Sequence, residues 1–307
     1  MTTHIRILPF LSITVLAAST ALAGVARHDR TLEYHRQLAT QSQFQAAGGL
    51  TIQGVGFGSG TLIAPGWVLT AAHATELAPA NRLHFTINGR SYTGAQTYEH
   101  PLWQGTSRIT EGYDIALIRL EDAVEDVTPA QIYRGSEIVG RQAMLVGAGL
   151  IGYGDSGQIP GTTGTLHAGL NTIDATANQL GAILPGIPLS SNNLVIDFDS
   201  PDSSFLNRTG SSNPLDHEFF PGQGDSGGAY WIQDTDGQWK LASIQSWGTL
   251  NAVGDNFGQY GHMAISAKLY EQSVLSWIDS TVPAPSTLAL LFPFTFAAAR
   301  RSRILST

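Results

Sequence analysis

Short apolar runs separated by turn-forming residues dominate the middle of this chain. Each run is four or five residues long, and most are bounded by glycine, proline or polar residues, which is typical of β-strands. The region 150–216 is rich in glycine, serine and asparagine, and it predicts strands joined by extended loops. The pattern therefore predicts an all-β fold. The clearest runs are 60–64, 67–70, 83–87, 115–118, 143–146 and 240–244.

One segment near the C-terminal end has the spacing of an amphipathic helix. Between Ser266 and Ile278, apolar residues fall at positions 267, 270, 274, 277 and 278, and Pro283 follows. Such spacing places the apolar side chains on one helical face, and proline ends the helix. We therefore predict a C-terminal α-helix. The polar, partly basic segment 27–45 receives no assignment.

The N-terminal end has the composition of an export signal. Arg6 precedes an apolar run from Ile7 to Ala18, and a small-x-small pattern ends at Ala23. The run is shorter than the roughly 20 apolar residues of a membrane span. We therefore predict a signal peptide over residues 1–23 that signal peptidase removes. The mature chain would begin near Gly24 and be secreted or displayed at the cell surface.

Residues 281–307 form a second candidate targeting signal. A short segment containing two prolines is followed by an apolar stretch over 287–299 and then by three arginines between 300 and 303. The tail resembles a bacterial PEP-CTERM sorting signal, although Ala284 stands where that family has glutamate. The resemblance implies a bacterial source and a sorting enzyme that removes the tail. An ordinary membrane anchor or a disordered tail is the alternative.

Charge and cysteine content exclude several function classes. The net charge of -8 leaves no basic stripe that would bind nucleic acid. The chain has no cysteine, which rules out disulfides, thiol catalysis and cysteine-based metal sites. The histidines lack metal-ligand spacing. We expect a monomer that needs neither a metal ion nor a cofactor.

A glycine-flanked serine, Gly224-Asp-Ser226-Gly-Gly228, is the strongest chemical signal. A serine hydroxyl becomes a nucleophile when a base takes its proton and nearby donors stabilise the oxyanion. His73 follows one apolar run, and Asp114 directly precedes another. A carboxylate beside an imidazole fixes the imidazole's tautomer and stabilises its protonated form. The sequence therefore predicts Ser226 as nucleophile, His73 as base and Asp114 as the group that orients the base.

Two glycine motifs have competing interpretations. Gly147-Ala-Gly149-Leu-Ile-Gly152 fits a dinucleotide-binding loop, but the residues after it do not start the helix that such a loop needs. The motif around Ser226 also fits the elbow of an α/β-hydrolase. In that fold a helix follows the serine and the histidine comes last, whereas here the next residues are strand-like. We set both interpretations aside.

The carboxylates Asp197, Asp199 and Asp202 form a local acidic cluster. A calcium-binding loop of the EF-hand type needs a glycine and a distal glutamate, which are missing here. We interpret the cluster as a solvated acidic loop.

Four segments together resemble the trypsin-like serine proteases, and they follow one another in that family's order. The resemblance implies two six-stranded antiparallel β-barrels with a C-terminal α-helix. Residues 24–130 would form the N-terminal barrel with its lead segment, and residues 131–280 the C-terminal barrel with the helix. The four segments are 58–73, 113–120, 222–228 and 246–248.

The resemblance also implies a secreted endopeptidase that hydrolyses peptide bonds in proteins or peptides through an acyl-enzyme. Its oxyanion hole would be formed by Gly224 and Ser226. The other function that we consider is a catalytically silent surface module that keeps the fold and binds partners. The implied substrate-binding residues are Phe220, Ser246, Trp247 and Gly248.

Two departures from the family affect these expectations. The usual activation sequence is missing; in the family, the freed N-terminus pairs with the residue matching Asp225. Arg30–Thr31 is the candidate cleavage point here. Phe220 stands where trypsins have aspartate, which predicts an apolar pocket, walled by Gly248 and Gly261, that disfavours lysine and arginine.

Overall fold

The structure is a computed structural model that describes residues 24–182, 189–249 and 256–283. No helix within these ranges is long and apolar enough to cross a membrane. The predicted signal peptide and residues 284–307 of the predicted tail lie outside the described residues.

The first described residues form strand β1 (Gly24–Ala26) and helix α1 (Leu32–Ala39). The helix buries Leu32, His35 and Leu38 on one side, a spacing of three residues that places them on one helical face. His35 Nδ1 lies 2.9 Å from a backbone oxygen of the second half of the chain. The unassigned lead segment therefore contains a docked helix.

Six antiparallel strands then close into a barrel. Neighbours pair in the order β2-β3-β4-β7-β6-β5, and β5 pairs with β2 to complete the ring. The closed ring leaves no strand edge unpaired. Its interior is filled by fully buried side chains such as Leu62, Phe85 and Leu117. The strands are β2 (Ala47–Ile52), β3 (Gly56–Ala64), β4 (Trp67–Thr70), β5 (Leu83–Ile87), β6 (Arg90–Glu99) and β7 (Ala116–Leu120).

In the described residues of its second half, the chain forms ten further strands. They are β8 (Gln142–Gly147), β9 (Ile151–Tyr153), β10 (Gly157–Gln158), β11 (His167–Thr172), β12 (Ala175–Thr176), β13 (Asn193–Asp197), β14 (Phe219–Phe220), β15 (Ala229–Gln233), β16 (Trp239–Thr249) and β17 (Met263–Lys268). Over the described residues, seven of them form a sheet in the order β11-β8-β15-β16-β17-β13-β12. A smaller sheet has the order β10-β9-β1-β14.

The described residues contain two further α-helices: α2 (Ala72–Thr75) after β4, and α3 (Gln272–Thr281). Val274, Leu275 and Ile278 of α3 are buried, and Val274 and Ile278 belong to a core that also includes residues of both halves. Burial of each such side chain stabilises the fold by roughly 1.5–3 kcal/mol. The helix thus joins the two halves.

The all-β fold with a C-terminal helix is confirmed, with three differences in detail. The helix begins at Gln272 rather than Ser266, because residues 263–268 are paired on both sides, with β13 and β16. The second half is an open seven-stranded sheet over the described residues, not a closed six-stranded barrel. Strand β1 belongs to this second half rather than to the first barrel.

Candidate active site

His73 and Asp114 are held together by two hydrogen bonds. His73 lies on α2, at the end of β4, and Asp114 lies just before β7, the partner of β4. Asp114 Oδ1 accepts the backbone N–H of His73 at 2.8 Å, and Oδ2 lies 2.7 Å from His73 Nδ1. The Ser246 hydroxyl donates to the same Oδ2. With Nδ1 engaged by the carboxylate, Nε2 is the nitrogen that is left to act as a base.

The surroundings of His73 change its basicity. Burial lowers the pKa of the imidazole, but the hydrogen bond to Asp114 and the charge of that carboxylate outweigh burial, so the pKa is raised above 6.5. Asp114 is fully buried, whereas the His73 side chain is 20% exposed. A partly exposed imidazole with a raised pKa suits proton transfer near neutral pH.

The loop that carries Ser226 is pressed against the end of β4. Gly224 and Gly227 adopt φ values of +94° and +85°, a region that other residues rarely enter. A Cβ atom on Gly227 would lie 2.2 Å from Thr70 Oγ1 and 3.0 Å from the backbone nitrogen of Ala71. This close approach brings the Ser226 loop beside the segment that carries His73.

The backbone N–H groups of Gly224 and Ser226 are available to a ligand. Neither donates a hydrogen bond to an acceptor within the described ranges. The next donor in this loop, Gly227 N–H, is by contrast bonded to the carbonyl of Gln245 at 2.9 Å. An oxyanion binding site needs two such unengaged donors at one place.

Asp225, next to Ser226, points into the protein. Its carboxylate accepts the backbone N–H groups of Gly149 at 2.8 Å and of Gly222 at 2.7 Å. Burial raises the pKa of Asp225 to about 7. In the part of the chain that the structure describes, no cationic side chain forms an ion pair with it.

The same contacts explain the glycine motif at 147–152. A Cβ atom on Gly147 would lie 2.2 Å from Asp225 Oδ1, and one on Gly149 would lie 2.5 Å from the Asp225 nitrogen. Strand β9 overlaps the end of the motif, and no helix follows it directly. The glycines therefore make room for Asp225, and the motif does not form a dinucleotide site.

Strand β1 lies next to the segment that holds Asp225. Gly24 N–H donates to the Leu150 carbonyl at 2.8 Å, and β1 pairs with both β9 and β14. Val25 and Ala26 are fully buried. Cleavage at Arg30–Thr31 would cut the covalent link between this buried strand and α1, which argues against that cleavage point.

The predicted substrate-binding residues lie on β14 and β16. Phe220 is fully buried, and its ring centroid lies 5.5 Å from those of both Phe198 and Phe257. A Cβ atom on Gly248 would lie 2.6 Å from the ring of Phe257. Phe257, which sequence reasoning missed, therefore occupies the space beside Gly248. Contact of these residues, or of Gly261, with substrate stays a prediction.

The acidic segment is not a solvated loop. Asp197 and Asp199 are 1% and 3% exposed, and Asp202 is the exposed member. Burial raises the pKa of Asp199 to about 7 and that of nearby Glu218 to about 8. No group of three or more side chains able to hold a metal ion occurs in the described ranges.

Comparisons with known proteins agree with this geometry. The family model described as Trypsin matches residues 34–174, which include His73 and Asp114 and end before Ser226. Among solved structures, neuropsin, a serine protease expressed in the limbic system of mouse brain, matches with a TM-score of 0.57 and 23% identity. The match covers 78% of this chain and 96% of neuropsin.

The chain has the trypsin fold. At this identity the likeness to neuropsin shows the fold alone, and the family match adds support for a trypsin-like serine protease. No match to a curated protein was found.

Proposed function

We propose that this protein is a serine endopeptidase in which Ser226 is the nucleophile, His73 the base and Asp114 the group that orients the base. The observation that carries the proposal is the buried Asp114 carboxylate, which holds His73 through two hydrogen bonds beside the Ser226 loop. A binding module has no need of an imidazole held in this way, so the silent alternative has less support.

The proposed reaction follows from these groups. His73 Nε2 takes the proton of the Ser226 hydroxyl while Ser226 Oγ attacks the carbonyl carbon of the scissile bond. The N–H groups of Gly224 and Ser226 stabilise the oxyanion. The imidazolium then protonates the leaving amine, and a water molecule activated by the same imidazole hydrolyses the acyl-enzyme. Asp114 stabilises the imidazolium in both steps.

A fluorophosphonate probe tests this proposal directly. The probe is expected to label the purified protein on Ser226, and His73→Ala is expected to reduce labelling strongly, because the hydroxyl then lacks a base. Mass spectrometry of the labelled peptide identifies the site. Folded protein that stays unlabelled between pH 5 and 9 would contradict the enzymatic proposal and favour the binding module.

Cleavage of a peptide library measures the same proposed activity through substrate turnover. The apolar surroundings of Phe220 and Phe257 favour cleavage after apolar residues, and the ring beside Gly248 favours small ones. Burial of an unpaired cation is costly, so lysine and arginine are expected to be poor at this position. Efficient cleavage after arginine would show that an acidic group reaches the pocket.

Export is part of the proposal, because removal of the signal peptide would create a positively charged group that can pair with Asp225. Cleavage by signal peptidase after Ala23 would create an α-ammonium group on Gly24. That nitrogen is bonded to Leu150 O, and the preceding residue, Gly149, donates to Asp225. An ion pair between the new N-terminus and Asp225 is the arrangement that the family resemblance implies. Removal of the C-terminal tail by a sorting enzyme is likewise proposed.

An N-terminal extension tests this maturation step. Protein that begins at Gly24 is compared with protein that carries one extra alanine before it. The extended form is expected to lose about 100-fold in kcat/KM, because breaking a buried ion pair typically costs about 3 kcal/mol. In an Asp225→Asn background the extension is expected to cause no further loss. Full activity of the extended form would refute this maturation step and leave the peptidase proposal standing.

A further inference from the structure

We infer that Ser59 is a positioning residue whose hydroxyl holds the Ser226 loop in its catalytic conformation from the opposite half of the molecule. Ser59 lies on β3 of the first barrel and is 1% exposed. The inference rests on the proposed peptidase function. Sequence reasoning did not single out this serine.

The Ser59 side chain joins two backbone segments of the second half. Its Oγ donates to the Gly224 carbonyl at 3.0 Å and accepts the Ala148 N–H at 2.9 Å. Gly224 belongs to the predicted oxyanion hole, and Ala148 lies between the two glycines that contact Asp225. One hydroxyl therefore connects the nucleophile loop with the segment that holds its neighbouring carboxylate.

The backbone of Ser59 adds two contacts to the same assembly. Its N–H donates to the Ser226 carbonyl at 2.8 Å. Its carbonyl accepts the hydroxyl of Thr70 at 2.8 Å, and Thr70 is the last residue of β4 before the segment that carries His73. Ser59 is thus bonded to the nucleophile itself and to the strand that leads to the base.

These contacts restrain the peptide group that matters for catalysis. The Ser226 N–H belongs to the peptide between Asp225 and Ser226. Ser59 holds the carbonyl of the peptide before it, at Gly224, and the carbonyl of the peptide after it, at Ser226. Glycine has the broadest backbone freedom of any residue, so the loop needs restraints from outside. Without the hydroxyl, the peptide after Gly224 loses its only bond to Ser59.

The neighbours of Ser59 are small enough for this approach. A Cβ atom on Gly58 would lie 3.3 Å from the Ser226 carbonyl oxygen, and one on Gly60 would lie 2.8 Å from Val68 Cγ1. Thr61, on the same face of β3, is also fully buried, but its hydroxyl has no hydrogen-bond partner in the described structure. Burial of a hydroxyl on this strand therefore does not by itself produce the contact.

Ser59→Ala separates a positioning role from a structural one. In the folded variant, kcat for a peptide amide is expected to fall about 10- to 100-fold, less than the loss of an oxyanion donor itself. KM and the pH midpoint of kcat/KM are expected to stay unchanged, because neither the substrate-binding strand nor His73 is altered. The rate of fluorophosphonate labelling is expected to fall in parallel. Circular dichroism and thermal melting establish that the variant is folded at the assay temperature.

Two further variants complete the test. Thr61→Val removes the unpartnered hydroxyl on the same strand and is expected to leave kcat unchanged. If Ser59→Ala does not fold, Ser59→Cys replaces it in the test: the thiol fills the site but is a weaker donor, so kcat is again expected to fall. A folded Ser59 variant with the kcat of the wild-type protein would overturn this inference and leave the proposed function standing. Wild-type protein that neither turns over substrate nor reacts with the probe would overturn the proposed function first.

Discussion

Ser226→Ala is expected to lower kcat for peptide hydrolysis by about 10⁶-fold while leaving the protein folded. The variant loses the nucleophile, and the remaining rate comes from substrate binding and from the oxyanion donors alone. The serine side chain makes no hydrogen bond that stabilises the loop within the described residues, which is why folding is expected to survive. Steady-state kinetics on a peptide amide and thermal melting measure the two effects.

Ser91→Ala is the matched control for this substitution. Ser91 is an exposed serine on β6 of the first barrel, where it pairs with Thr86 of β5. Its replacement is expected to change neither kcat nor the melting temperature. Activity that survives in Ser226→Ala at the wild-type level would assign the observed hydrolysis to another nucleophile or to a contaminating peptidase.

Asp114→Asn is expected to lower kcat by about 10⁴-fold with the fold preserved. The carboxylate accepts from both the backbone and the ring nitrogen of His73. An amide has one oxygen and one NH₂ group, so it cannot accept both bonds. The NH₂ group would favour the tautomer in which Nε2 carries the hydrogen, and Nε2 then cannot take the serine proton. Kinetics at a pH above neutrality measure the loss.

The pH dependence of kcat/KM provides an independent test of the His73–Asp114 pair. His73 must be neutral to act as a base, so activity is lost as the pH falls through its pKa. The pKa is raised by Asp114, so the midpoint of wild-type kcat/KM is expected above 6.5. Asp114→Asn is expected to move the midpoint down, and the exposed control Asp122→Asn to leave it unchanged. An unshifted midpoint in Asp114→Asn would mean that this carboxylate does not set the basicity of His73.

Local pattern was sufficient to predict several of the strands and to identify the candidate catalytic groups. The apolar runs at 67–70 and 83–87 coincide with β4 and β5, because alternation along a strand depends on neighbouring residues only. His73 and Asp114 were identified from short motifs at the ends of such runs. The structure brings these two side chains into contact, and it places the Ser226 loop beside them.

Local pattern failed where distant partners decide the outcome. Residues 266–268 carry part of a helical spacing, yet they form β17 because β13 and β16 supply hydrogen bonds on both sides. Cross-strand pairing overrides a weak local preference. Asp197 and Asp199 look like members of a solvated loop in the sequence, but the chain packed around them removes them from water.

The contacts that hold the candidate site in place were determined by the tertiary structure alone. The Ser59 hydroxyl and the Gly224 carbonyl are 165 residues apart in sequence, and no spacing in the sequence connects them. The same holds for Gly24, which reaches the segment next to Asp225 only after β1 enters the second half of the molecule. The sequence by itself identified the candidate catalytic side chains, because their motifs lie in short segments. Their relative orientation depends on backbone contacts between the two halves, which exist only in the folded chain.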